Sequence, residues 1–339
     1  MITFNRRQTM GLLGAAATTG LATPALSQNR PIVVGALRFT SHSASFIAAE
    51  RAYFEQAGLD VELRFFQAAQ PMAVAIASGD VDYAVTAMSG GLISLANRGA
   101  IRVIGGALSE EPGIDGQKIL ASDAAFQGGM TSPAQMGGKK FGISTAGSSF
   151  HYVGSRIAQA EGIELSFTPL QKVGAIIGAL KSGQIDAWSI VPHIAKPLAG
   201  SGDVHIIGNV SDYLPNYQVT TVFTSTENAT NEQEQTADFI KAFSMGAADY
   251  NATMIDGAGG QEGMDEMVDL IHKYVYTDRE RDRAAPSIIN GTMRINEGAR
   301  MNTASLQDQL SWFQSEDLVD ADITLDTIVD PSYVETYTA

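Results

Sequence analysis

One phrase occurs twice in this chain, and its recurrence restricts the available folds more than any other feature. Ala75-Ile76-Ala77-Ser78-Gly79-Asp80-Val81-Asp82 returns in outline, 104 residues later, as Ala179-Leu180-Lys181-Ser182-Gly183-Gln184-Ile185-Asp186. In each copy a helical run ends in Ser-Gly, where glycine takes the left-handed position that a Cβ resists. In each, an Asp then leads into an apolar strand, Tyr83-Ala84-Val85 or Ala187-Trp188-Ser189-Ile190. The same offset separates Gly58 from Gly162. Each of these stops a helical pattern (46–57 and 150–161) and precedes a half-buried strand (61–66 and 165–170). Both halves therefore spell strand, polar loop, helix, Gly, strand, helix, Ser-Gly, strand. That is a βαβαβ unit written twice, which requires a parallel sheet with right-handed crossovers. The expected fold is α/β and two-lobed, each lobe a mainly parallel sheet flanked by helices.

The rest of the chain fits around these units. Ile32 to Leu37 is a strand apolar enough for a covered sheet. Residues 109–116 are rich in turn formers and acids and make the expected first crossing between lobes, with residues 216–224 as the return. Lobe 1 is then residues 31–112 plus 225–339, and lobe 2 is residues 113–224. From Ser225 onward long helices are expected at 231–251, 263–274 and 305–316, covering lobe 1 and bracing both. The tail, 323–337, is expected to be extended. Gly257-Ala258-Gly259-Gly260 has neither a preceding strand nor a following Lys-Ser/Thr, so it is no phosphate loop.

The first residues read as an address. Arg6-Arg7 precedes a mildly apolar stretch from Gly11 to Ala22, and Ala25-Leu26-Ser27 supplies the small residues a signal peptidase inspects. This resembles a twin-arginine export signal covering residues 1–27, with cleavage near Ser27 and a periplasmic destination. The chain holds no Cys, which excludes thiol catalysis and zinc–thiolate sites and suits an oxidising compartment. Its 22 basic and 37 acidic residues give a net charge of −15, which argues against nucleic-acid and anionic-lipid partners.

In open α/β sheets, ligands sit outside the carboxyl ends of the strands. The loops at those ends are Arg38 to Ser43, Gln67 to Pro71, Thr86 to Gly91 and Thr145 to Ser149. Three of them open helices, near Ser43, Ser89 and Ser148–Ser149, and helix N-termini bind anions through unpaired N–H groups. Arg38 is the only strongly basic residue among them. The candidate ligand is therefore a small organic solute, expected to carry a carboxylate, sulfonate or similar oxyanion, or to be aromatic or heterocyclic. Phe39, His42, Met88, Phe150, His151, Trp188 and Tyr217 are candidate walls. The five His stand singly, and there is no HExxH, no GxSxG and no GxGxxG after a strand. No catalytic residue, metal or cofactor is assigned.

Taken together, Leu59-Asp60-Val61-Glu62, Ser78-Gly79-Asp80-Val81-Asp82, Gly138-Lys139-Lys140-Phe141-Gly142, Asp186-Ala187-Trp188 and Asn216-Tyr217-Gln218 carry a resemblance. The pattern, over roughly residues 31–245, resembles the nitrate/sulfonate/taurine-type solute-binding proteins of ABC importers, a family that includes pyrimidine-precursor and aromatic-acid binders. The resemblance implies a type II periplasmic-binding-protein fold with a two-strand hinge, closing on one solute and docking as a monomer on a membrane permease. It points to Arg38, Phe39, Thr40, His42, Gln67, Met88, Ser89, Ser144, Ser148, Ser149, His151, Trp188, Asn216 and Tyr217 as solute contacts. It departs from members with an extended Trp-x-x-Trp-x-Pro in having Ile190-Val191 between Trp188 and Pro192. The alternatives are an exported enzyme on the same scaffold, which a bound cofactor would reveal, and a ligand sensor for a membrane receptor.

Overall fold

A computed structural model describes residues 30–339; the expected export signal at residues 1–27 lies outside the described residues. The chain opens with β1 (Ile32–Leu37), α1 (Ser43–Glu50), α2 (Tyr53–Gln56), β2 (Val61–Phe66), α3 (Ala69–Ala77), β3 (Tyr83–Thr86), α4 (Gly90–Asn97) and β4 (Ile101–Ser109). It continues through β5 (Lys118–Ser122), α5 (Asp123–Gln127), β6 (Lys140–Ile143), α6 (Ser149–Glu161), β7 (Ser166–Pro169), α7 (Val173–Lys181), β8 (Ala187–Ile190), α8 (Pro192–Gly200) and β9 (Val204–Asn209). β10 (Gln218–Ser225) follows, then α9 (Thr226–Asn231), α10 (Gln233–Tyr250), α11 (Gly260–His272) and α12 (Arg281–Ile289). The chain ends with β11 (Met301–Asn302), α13 (Thr303–Ser315), α14 (Leu325–Ile328) and β12 (Thr336–Tyr337).

Two five-stranded sheets result, ordered β2-β1-β3-β10-β4 and β7-β6-β8-β5-β9. The sequence repeat is a structural repeat: α3 and α7 both begin and end 104 residues apart. Gly79 and Gly183 have φ of 77° and 71°, conformations that admit glycine at little cost. The repeated Asp has a local task. The Asp82 carboxylate accepts the N–H of Val33 at 2.8 Å, and the Asp186 carboxylate accepts the N–H of Lys140 at 2.8 Å. Each thereby pins the turn before the third strand to the start of the first.

Each sheet is mainly parallel, as expected, with one strand of the five running against the others. β10 runs against β3 and β4, and β5 runs against β8 and β9. The reason lies in the two short links. β4 runs in the direction of β1 and β3, so the chain leaves the first sheet at its carboxyl edge. It enters the second sheet on a strand running the other way, hence also at a carboxyl edge. The link from β9 to β10 does the same in reverse. The carboxyl edges of the two sheets therefore face one another.

Local differences from the sequence reading have physical causes. The helix expected at 46–57 breaks where Ala52 takes φ 57°, leaving α1 and α2. α1 is buried from Ser43 to Ala48 because α10 lies across it, so closely that a Cβ on Gly246 would sit 2.2 Å from the Ala44 carbonyl oxygen. α8 was not expected, although Pro192 occupies its first turn, where a missing N–H costs nothing. The tail is not simply extended: it contains α14 and a 3-10 turn at Pro331–Tyr333. The C-terminal helices brace both sheets. α10 packs on α1, while Asp308 of α13 accepts hydrogen bonds from Tyr152 and Arg156 of α6.

Candidate functional site

Between the facing carboxyl edges lies a cavity with about 70 Å³ open to the centres of water-sized molecules. Leu37 at the end of β1 lines it, with Phe39, Ser41 and His42 just beyond; Ala68 and Ala69 follow β2, and Thr86 ends β3 with Ala87 behind it. From the second sheet come Ser144 and Ser148 to Phe150 after β6, Val173 after β7, and Ile190 and Val191 after β8. The strands joining the sheets complete the wall: Leu108 of β4 beside its β10 partner Thr220, with Val219, and Gln117 just before β5. The N-terminal turns of α1, α3, α6, α7 and α8 thus converge on one space, bringing unpaired N–H groups and partial positive charge.

Among the described lining residues there is no Lys or Arg. Most of the wall is aliphatic or aromatic, the usual character of a small-molecule site. The Ser148 hydroxyl caps α6 by accepting the His151 N–H at 3.4 Å, which leaves its O–H free to donate. His42 Nδ1 accepts the Leu37 N–H at 3.4 Å, so the neutral ring carries its proton on Nε2. Burial lowers His42 to about 3. His193, from α8, meets Phe39 edge-on at 5.3 Å and is also lowered to about 3, by burial and then by the nearby His42.

Of the fourteen residues singled out from the sequence, Phe39, His42, Ser144, Ser148 and Ser149 line this cavity. The others lie elsewhere. The Arg38 guanidinium sits 3.9 Å from the Phe65 ring centroid and donates to the Tyr274 carbonyl at 3.0 Å. With Gln67 it lines a wider groove that shares Leu37, Phe39 and Val173 with the cavity. Thr40 and Met88 are buried in the core. Ser89 caps α4 through the Leu92 N–H at 3.2 Å, and the Gly90 N–H donates to the Gly147 carbonyl at 2.9 Å, so the amino end of α4 is occupied by the opposing loop. His151 accepts the Gly147 N–H on Nδ1 and packs against Phe167 and Trp312. Trp188 is fully buried behind Phe150. Tyr217 is buried against Tyr152, and Asn216 lines a separate pocket with Glu110 and Arg294.

The sequence reading missed Gln117, Thr220, Leu108 and the aliphatic lining. The signal for the first three was their place at or beside the links between the sheets. The link before β5 lies at 110–117, one residue from the expected 109–116, while the return link lies at 210–217 and the expected 216–224 is mostly β10 itself. The aliphatic positions carry no chemical signature. Among the described residues, no His/Cys/Asp/Glu group has the spacing to hold a metal, and no helix is long and apolar enough to cross a membrane.

Two sheets opposed at their carboxyl edges, with a cavity walled from both, define a two-lobed protein of the periplasmic-binding-protein fold. A family model described as NMT1/THI5 like matches residues 39–253, and the chain belongs to that family. It is 24% identical over 271 residues to a Brucella abortus (strain 2308) protein named "Putative binding protein", covering 78% of this chain and 77% of that one. Among solved structures it is similar to the alkanesulfonate-binding protein SsuA from Xanthomonas axonopodis pv. citri bound to MOPS (14% identity, TM-score 0.66, 91% of this chain and 98% of that one). It is similar also to the nitrate-binding protein NrtA from Synechocystis PCC 6803 (12% identity, TM-score 0.67, 88% and 83%). At these identities the structural likeness is one of fold.

Proposed function

We propose that the protein is the solute-binding component of an ABC importer and performs no chemistry of its own. The observation carrying this reading is the cavity, whose wall is drawn from both sheets and from the two links between them. A solute seated there is satisfied from both sides only when the lobes are together, so binding favours the closed form of a pre-existing equilibrium. Because β10 (Gln218–Ser225) pairs within the first sheet, residues 31–109 plus 218–339 act as one lobe and 118–209 as the other, with the links 110–117 and 210–217 as the hinge; the return crossing thus falls before β10 and not at the expected 216–224. The solute is small and largely apolar, with an anionic or acceptor group held by helix N–H groups and the Ser144, Ser148 and Ser149 hydroxyls. Residues 1–27 direct twin-arginine export to the periplasm, where the monomer delivers its cargo to a permease.

A ligand that binds only the folded form raises the melting temperature by mass action. A thermal-shift screen of oxyanions, aromatic acids and heterocycles is expected to yield a stabilising solute, and the absence of any would remove the reading's support. Replacing Arg6 and Arg7 together by Lys is expected to abolish export; export that persists would refute the address.

A further inference from the structure

We propose that Gln117, held by Glu110, is the specificity-determining acceptor of the cavity. It presents its side-chain carbonyl to the solute and selects molecules carrying an N–H or O–H donor over isosteres that lack one. The inference rests on the solute-binding reading and names the solute class more closely.

Gln117 is clamped on one side. Its main-chain N–H and its side-chain Nε2 both donate to Glu110 Oε1, at 3.0 and 3.2 Å. Its main-chain carbonyl takes the Val210 N–H at 2.9 Å. With the amide nitrogen committed to the carboxylate, Oε1 must point the other way. That oxygen has no hydrogen-bond partner among the described residues, yet it is not one of the unpartnered atoms sealed from solvent. The open space that Gln117 borders is the cavity.

Glu110 fixes this orientation in either protonation state. Its side chain is buried, and Oε2 has no partner among the described residues. Oε2 lies against Gly116, where a Cβ would come within 1.9 Å of it. Burial pushes the carboxyl up to about 7, offset in part by the Gln117 hydrogen bonds, so both states occur near neutrality. Because Oε1 already accepts the Gln117 main-chain N–H, a proton resides on Oε2, and Oε1 stays an acceptor. The Gln117 amide therefore cannot turn without setting its own oxygen against Glu110 Oε1, two acceptors with no proton between them.

The other polar side chains on the wall have no such fixed sense. The hydroxyls of Ser41, Thr86, Ser144, Ser148, Ser149 and Thr220 rotate, and His42 offers Nε2–H as a donor. The helix amides also donate. The described cavity thus pairs many donors with one fixed side-chain acceptor, which fits a mainly apolar solute with an acceptor or anionic end and an amino or hydroxyl group. A buried acceptor left unpaired by the wrong ligand makes such a site discriminating.

The test is a matched-pair thermal-shift library with calorimetry on the purified protein: amino and methyl isosteres such as 4-aminobenzoate with 4-methylbenzoate and 3-aminopyridine with 3-methylpyridine, extended across arenes, heteroarenes and carboxylates. The expected result is that binders favour the amino member at least about tenfold. Gln117→Met should abolish that preference, Glu110→Met should reduce it by freeing the amide, and Glu110→Gln, which can keep an acceptor in place, should retain it. Binding without amino preference, or a preference that survives Gln117→Met, overturns the inference alone. A library with no binder overturns the solute-binding reading itself. Preference is a ratio within one variant, so a loss of stability does not imitate the effect.

Discussion

Acidification should weaken the folded structure through two histidines, and the size of the effect follows from their surroundings. His42 comes from the loop after β1 and His193 from α8. Phe39 touches both rings, at 6.0 and 5.3 Å between centroids. Neither ring nitrogen of His193 has a partner among the described residues. Burial holds both well below the ordinary value of 6.5, at about 3, and neither shift has a carboxylate opposing it. Above pH 6.5 the rings are neutral folded or unfolded, and their contribution is fully present. As pH falls below 6.5, the unfolded chain takes up protons that the folded one refuses, so stability is lost until about pH 3. At pH 5.5 the loss is about 1.4 kcal/mol per ring, or about 3 kcal/mol for the pair. Glu110 works the other way. Its carboxyl is raised from 4.5 to about 7, so its contribution is present at acid pH and lost as pH rises through 7. Between pH 8 and 5.5 it returns about 2 kcal/mol. The wild-type change is therefore a small net loss of about 1 kcal/mol, and only variants separate the parts. Urea unfolding at pH 8 and 5.5 should show that His193→Gln gains about 1.4 kcal/mol on the wild type upon acidification, while Glu110→Gln loses about 2 kcal/mol. Differences that stay constant with pH to within about 0.5 kcal/mol would refute the reasoning, whatever either substitution costs by itself.

Three further outcomes are expected. Gly291→Ala places a Cβ 2.1 Å from His193 Cβ and 2.2 Å from its Cα; it should force α8 away, cost about 1–3 kcal/mol in a thermal melt and weaken solute binding. Gly174→Ala on α7, where nothing lies within 4 Å, should be neutral or slightly stabilising in the same melt. Asp82→Ala and Asp186→Ala each orphan a strand-start N–H and should each lower stability by about 1–3 kcal/mol, measured by urea unfolding; a large effect at one site with none at the other would contradict their equivalence. Trp188→Phe removes a buried indole N–H that has no partner among the described residues, so calorimetry should find solute affinity unchanged; a tenfold loss would return Trp188 to the binding wall.

The parts of the fold legible in the sequence are those fixed by local backbone demands. Gly79, Gly162 and Gly183 take the positive φ at which their helices were expected to stop, and β1 and β2 have the expected bounds. What could not be read depends on neighbours distant in the chain. The hydrophobicity of β5 and β10 marks them as covered strands but says nothing of direction, which follows from where the links meet the sheets. The run from Phe46 reads as a helix, but its near-complete burial comes from α10, which lies across its outer face. Phe39, His42 and the serines, singled out because their types advertise chemistry and they sit on loops, line the cavity. Trp188 and Met88 advertise as strongly, yet their burial in the core places them behind the wall. Gln117 was overlooked for the opposite reason: it opens a strand that runs against its sheet, so a search of loops following strands passes it by. Such a strand begins at the edge where its parallel neighbours end. In a fold whose sheets exchange strands, the residues entering those strands belong to the site as fully as the loops do, and the sheet order identifies them where composition does not.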